Sequence, residues 1–146
     1  MQQTTVELLL GRLESSHRTE NSLGVLLTEE LARCKQRLPD LRTICVSTAD
    51  GRPLAELESG QADARRIAAM ANSFLTLGET LAKEVKLSGA DYATVCTSRG
   101  NIVLFRIDAP KPLTLLAMAG SDTNLALLLV ATRDCATRIG ALLARR

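Results

Sequence analysis

The chain has 146 residues, an apolar fraction of 46% and a formal charge of +2, enough for one domain with its own core. Near-neutral charge and only three aromatics, Phe74, Tyr92 and Phe105, leave neither an electrostatic footprint for nucleic acid nor a stacking platform for bases. One histidine, His17, and four scattered cysteines, Cys34, Cys45, Cys96 and Cys135, lack the paired spacing of a zinc site, and the cysteines read as buried small hydrophobes.

Thr4 and Glu7 have capping-box spacing, and Val6, Leu9, Leu10 and Leu13 follow at helical spacing, which predicts a short first helix. Ser15 to Ser22 contains no apolar residue and predicts an exposed linker holding a solvated His17. Residues 1–22 are therefore expected to be an extension and residues 23–146 the domain. Leu23, Leu27, Leu31, Cys34 and Leu38 form the stripe of a second helix, ended by Pro39. Leu41 to Thr48 reads as a strand, Asp50-Gly51 as a hairpin turn, and Pro53 to Glu58 as a return strand at a sheet edge.

Asp63 to about Lys86 predicts a long amphipathic helix. Ile67 and Val85 centre its apolar arc. Ala71, Ala82, Leu75 and Ala68 extend it one way, and Phe74, Leu81, Met70 and Leu77 the other. Arg65, Asn72, Thr76, Glu79 and Lys83 make the opposite face. The arc covers about 180°, against the ~100° stripe that packing on one sheet requires. Either the helix is packed deeply within its own chain, or it packs on its sheet and also on another subunit.

Tyr92 to Thr97, Ile102 to Ile107 and Leu113 to Ala119 read as strands, with a turn at Arg99-Gly100-Asn101 and the second of them central. Asp122 or Asn124 caps a final helix whose core stripe is Leu125, Leu128, Leu129, Thr132, Ala136, Ile139 and Leu143. Leu127 and Val130 fall outside it. Short links make the strands mostly antiparallel. The expected fold is an α/β class, three-layer α/β/α sandwich with a five-stranded mostly antiparallel sheet, plus a short N-terminal helical extension.

No phosphate-binding G-x-x-x-x-G-K-[ST], G-x-G-x-x-G or G-x-S-x-G motif is present, and a Cys–His nucleophile would have to use His17 in its polar stretch. Asp50 and Asp63 have local roles in a turn and a helix start. Arg52, Arg65, Arg66 and Arg99 could act in trans as arginine fingers, but solvated arginines are the simpler reading. No catalytic, cofactor-binding or metal residue is named. No segment has the ~18–20 apolar residues that span a bilayer, and no signal peptide is visible at Met1, so the expected compartment is the cytoplasm.

From Leu38 to Leu143 the chain resembles the dynein light-chain roadblock family. Leu38-Pro39-Asp40-Leu41 resembles the family's entry to its first strand, and Ala49-Asp50-Gly51-Arg52-Pro53-Leu54-Ala55 its first hairpin. Asp63-Ala64, Ile67-Ala68-Ala69-Met70-Ala71 and Leu77-Gly78-Glu79 resemble its alanine-rich long helix. Arg99-Gly100-Asn101-Ile102-Val103-Leu104 resembles its second hairpin, and Asp122-Thr123-Asn124-Leu125-Ala126-Leu127 the start of its last helix. The resemblance implies a roadblock/longin-like fold and a homodimer, with two sheets joined edge to edge and two long helices side by side. Met70, Phe74, Leu77 and Leu81 would face the partner helix. The strand carrying Tyr92, Thr94 and Cys96 would pair across the dimer axis. It also implies a non-catalytic platform that binds and regulates a small Ras-like GTPase, or alternatively a structural adaptor in a larger signalling or motor complex. A small-molecule sensor of similar shape is a third class, disfavoured by the scarcity of aromatics.

Overall fold

Short hairpins and central strands buried on both faces build one antiparallel sheet. The computed structural model describes residues 2–57, 60 and 63–146. Its elements are α1 (Gln2–Arg37), β1 (Leu41–Thr48), β2 (Pro53–Leu57), α2 (Ala64–Glu84), β3 (Tyr92–Thr97), β4 (Gly100–Ile107), β5 (Leu113–Gly120) and α3 (Leu125–Ala144). The sheet order is β2-β1-β5-β4-β3, and every neighbouring pair is antiparallel. β2 is at an edge as expected, β5 is central and β4 lies between β5 and β3. Glu58, expected to end β2, lies outside the described residues. Helices α1 and α3 cover one face and α2 the other, which is the expected three-layer sandwich.

The expected linker is absent. Helix α1 runs unbroken through residues 15–22, so a short first helix, a polar linker and a second helix are one element. Thr4 lies inside that helix rather than at its start, and the expected boundary between residues 22 and 23 falls mid-helix. The polar side chains turn back on their own backbone. Ser15 Oγ donates to the Gly11 carbonyl at 2.9 Å, Thr19 Oγ1 to that of Ser15 at 2.8 Å and Ser22 Oγ to that of Thr19 at 3.0 Å. Hydroxyls bonded in this way are compatible with a continuing helix, and no proline interrupts residues 2–37.

The larger core lies between the sheet and the pair α1 and α3. Leu27, Leu31 and Cys34 of α1, with Leu38 just beyond it, meet Leu128, Ala131, Cys135 and Ile139 of α3 over Ile44, Val46, Leu115 and Ala117. A register shift against β5 between Leu41 and Thr43 puts Leu41 and Ile44 on this same face despite their odd spacing. The two helices run antiparallel along a seam with reciprocal thiol contacts. Cys34 Sγ donates to the Ala131 carbonyl at 3.8 Å, and Cys135 Sγ to that of Glu30 at 3.7 Å. Ion pairs Arg138–Glu30 at 2.9 Å and Arg37–Asp134 at 2.7 Å flank the thiols.

Two turns need glycine. Gly51 has φ +90° in the β1–β2 turn. Gly100 has φ +154°, and a Cβ there would strike the Ala119 carbonyl oxygen. Asp63 caps α2 by accepting from the Arg65 amide at 2.9 Å. Of the two candidate caps for α3 the structure uses Asn124, which accepts from the Ala126 amide at 2.7 Å.

Cys34, Cys45 and Cys135 are buried as expected, but Cys96 is exposed. Cys45 lies under α2, where burial, aided by the Glu56 carboxylate, pushes its thiol up from 9.0 to about 11. The folded chain therefore holds the thiol protonated while the unfolded chain releases the proton from pH 9 upward. That contribution is complete below pH 9 and is lost as pH rises towards 11. In urea titrations over this range the chain should lose more stability than its Cys45→Ala variant, and equal losses would contradict the assignment.

Candidate protein interface

Helix α2 lies on its face of the sheet through small residues. Ala68, Ala71 and Leu75 are buried, and Ala71 and Ile67 meet Cys45, Ala93, Ile102, Leu104 and Leu116. This uses about half of the wide apolar arc. The other half is bare: Met70 is 66% exposed, Phe74 43%, Leu77 68% and Leu81 63%, with Val85 continuing the line. These five residues recur at i, i+4, i+7, i+11 and i+15, so they stack along one side of the helix. A contiguous exposed apolar stripe of this kind marks an interaction site.

The polar face of α2 departs from expectation. Asn72 is only 5% exposed and Glu79 is half-buried, so these two do not form a solvent face, whereas Thr76 stays exposed. Asn72 Nδ2 donates to Ser47 Oγ on β1 at 3.0 Å and to the Ala68 carbonyl at 2.8 Å. Its Oδ1 accepts from Thr114 Oγ1 on β5 and from Arg106 Nη1 on β4. Arg106 Nη1 also reaches Thr114 Oγ1, and its Nη2 reaches Glu79 Oε1 at 2.5 Å and Thr76 Oγ1 at 3.4 Å. This network clamps α2 to three strands and fixes which way its bare stripe points. The residue pattern carried one faint sign of it, an asparagine one position from Ala71 and three from Leu75.

β3 is paired on one side only, with β4, and forms the other sheet edge. Its side chains alternate between layers. Tyr92 stacks on Phe105 at 5.5 Å, with Arg133 of α3 over the Tyr92 ring at 5.7 Å, so Tyr92, Thr94 and Cys96 point to the α1–α3 side. Thr94 Oγ1 and Cys96 Sγ are 3.7 Å apart on that side. Ala93 packs under α2, and Val95, 37% exposed, shares that layer by alternation. The seven expected interface residues therefore divide between the two faces of the sheet. Met70, Phe74, Leu77 and Leu81 belong to the α2 layer, where β3 presents Ala93 and, by alternation, Val95, which the expectation omitted.

Among the described residues the candidate catalytic side chains are not brought together. Among the described residues no three His, Cys, Asp or Glu side chains come together to hold a metal ion. Arg52, Arg65, Arg66 and Arg99 are exposed and scattered, and so is His17. The Asp50 carboxyl is held below the usual carboxylate range by the Thr48 hydroxyl in the β1–β2 turn, a structural role. Among the described residues no helix is long and apolar enough to cross a membrane.

A five-stranded antiparallel sheet between one long helix and a helix pair is the roadblock/longin architecture. The Roadblock/LC7 domain profile matches residues 27–109, more than half of the chain, and the chain belongs to that family. MglB of Myxococcus xanthus is similar in fold, with a TM-score of 0.70 at 12% identity over 82% of this chain and 90% of that one. A Roadblock/LC7 domain from Streptomyces avermitilis has a TM-score of 0.69 at 16% identity, over 77% and 93%. The gliding protein MglB from Thermus thermophilus has 0.67 at 12%, over 82% and 93%. No curated protein sequence matches the chain.

Proposed function

We propose that the chain is a non-catalytic homodimeric platform that binds and regulates a small Ras-like GTPase. The bare stripe of Met70, Phe74, Leu77, Leu81 and Val85 carries the reading. It is a surface built for contact, and it flanks an unpaired strand edge that a second copy can extend. Membership of the roadblock family supports the partner class, since its members serve as platforms for such GTPases. In this reading the partner holds the nucleotide and this chain alters its conformation. The bound dimer changes the partner's nucleotide turnover without contributing a group to the reaction.

The test uses the purified chain with the small GTPases of its own organism. The chain alone should hydrolyse no GTP. A GTPase loaded with a non-hydrolysable GTP analogue or with GDP should be retained on immobilised chain, with a preference for one nucleotide state. GTP hydrolysis by the chain alone would overturn the non-catalytic reading. Failure of every such GTPase to bind in either state would overturn the partner assignment in favour of an adaptor without nucleotide-linked function.

A further inference from the structure

Buried cysteines are ordinarily inert packing. Cys34 and Cys135 are placed for more than that. Glu30 pairs with Arg138 and Arg37 with Asp134 across the antiparallel seam of α1 and α3. Between these rungs Cys34 stands opposite Cys135. Cys34 Sγ lies 3.8 Å from the Ala131 carbonyl oxygen, and Cys135 Sγ 3.7 Å from that of Glu30. Each of these oxygens belongs to the residue four before the other cysteine, one turn back along its helix. Helical side chains lean back over the turn that precedes them, so each sulfur rests against the turn over which the other one leans. Cys45, in contrast, lies in the core under α2.

Arg138 supplies a second observation. Its Nε donates to Glu30, but its Nη2 is buried with no hydrogen-bond partner among the described residues. A buried donor without an acceptor calls for an explanation, and a neighbouring thiolate would be one. The Cys135 thiol, together with the Arg138 and Arg37 guanidiniums, holds Cys34 below the ordinary thiol range against the opposing push of burial. The same thiol contact and burial push Cys135 up. The two thiols are therefore unequal, one disposed to ionise and the other to keep its proton.

We infer that Cys34 and Cys135 are a redox pair, which hydrogen peroxide converts to a disulfide that staples α1 to α3. The Cys34 thiolate attacks one peroxide oxygen and the O–O bond breaks. The hydroxide that leaves takes up the proton that Cys34 gave up, and Cys34 becomes a sulfenic acid. The Cys135 sulfur then displaces that oxygen from the Cys34 sulfur. The S–S bond forms, and the departing hydroxide carries off the Cys135 proton as water. Two thiols and one peroxide thus give one disulfide and two waters. Both cysteines are 0% exposed, which selects the oxidant: peroxide is small and uncharged, whereas a peptide disulfide needs the seam to open. The link would join positions far apart in the chain and so remove much of the freedom of its unfolded state. None of this depends on the proposed GTPase partner.

Peroxide treatment of the folded full chain carrying Cys96→Ser, which leaves no exposed thiol, tests the inference. The product should be lighter by two hydrogen atoms. A non-reducing peptide map should join the segment holding Cys34 to the one holding Cys135, with Cys45 still open to alkylation in denaturant. The melting temperature should rise by on the order of 10 °C and return on reduction with dithiothreitol. Cys135→Ala in the same background should show neither cross-link nor rise, and oxidised glutathione should form the cross-link far more slowly than peroxide. If Cys34 and Cys135 stay open to alkylation at a peroxide concentration that oxidises Cys96 of the native chain, or cross-link only in urea, the inference is overturned. A sulfinic acid on Cys34 in place of the cross-link overturns the pairing. A cross-linked chain that melts no higher overturns the staple, and an equal rate with oxidised glutathione overturns the choice of oxidant.

Discussion

Leu77→Glu is expected to leave each chain folded and to halve its mass in solution. Leu77 is 68% exposed in the single chain, so a carboxylate there stays in water and costs the fold almost nothing. In the proposed dimer the same carboxylate would be buried against the apolar stripe of the partner helix, and two-fold symmetry would bury a second one nearby. An unpaired buried charge costs about 3–5 kcal/mol, which alone weakens pairing by more than about 100-fold. Lys83→Glu makes a larger change in charge on the same helix, off the stripe, and should leave the mass unchanged. Sedimentation velocity at micromolar concentration reads both variants. A Leu77→Glu chain of native mass would show that the stripe has another use.

Asn72→Ala should be the most damaging single polar substitution under α2. It removes the partner of Ser47 and one partner of Thr114, hydroxyls that are 2% and 1% exposed and out of reach of bulk water. Leaving buried polar groups unpaired costs about 1–3 kcal/mol each, which sets an expected loss of about 2–4 kcal/mol. Arg106 keeps its contacts to Thr114 and Glu79, which holds the loss near the lower end. The urea midpoint should fall with the m-value unchanged. A loss below about 0.5 kcal/mol, typical of surface positions, would mean that the network adapts or that water replaces the amide. Since the network sets the direction of the bare stripe, the variant should also pair less tightly than the native chain.

The sheet and its order of elements were legible in the residues because their signals are local. β1 and β3 occupy the expected residues, since short β-rich runs bounded by turn residues and proline leave little freedom in where a strand begins. The excess width of the α2 arc was legible too, being a property of spacing alone. The run from Ser15 to Ser22 misled because polar composition signals a loop only when its hydroxyls compete with the helix. Here they bond to the preceding turn of the same helix. Asn72 misled for the opposite reason. Its burial depends on Ser47, Thr114 and Arg106, all distant in sequence. The choice of Tyr92, Thr94 and Cys96 turned on parity: which alternate set of β3 faces α2 follows from its register with β4, as in Tyr92↔Phe105.

By itself the sequence determined the class of fold, the absence of recognised catalytic motifs, and the presence of more apolar surface on α2 than one sheet can cover. Each follows from composition or from periodicity within a single element. Only the tertiary structure decided which half of that arc is covered. It also joined two expected helices into one that overreaches its domain, and it turned three polar residues of α2 into a clamp. Those outcomes depend on contacts between residues tens of positions apart, and local propensity carries no information about such partners.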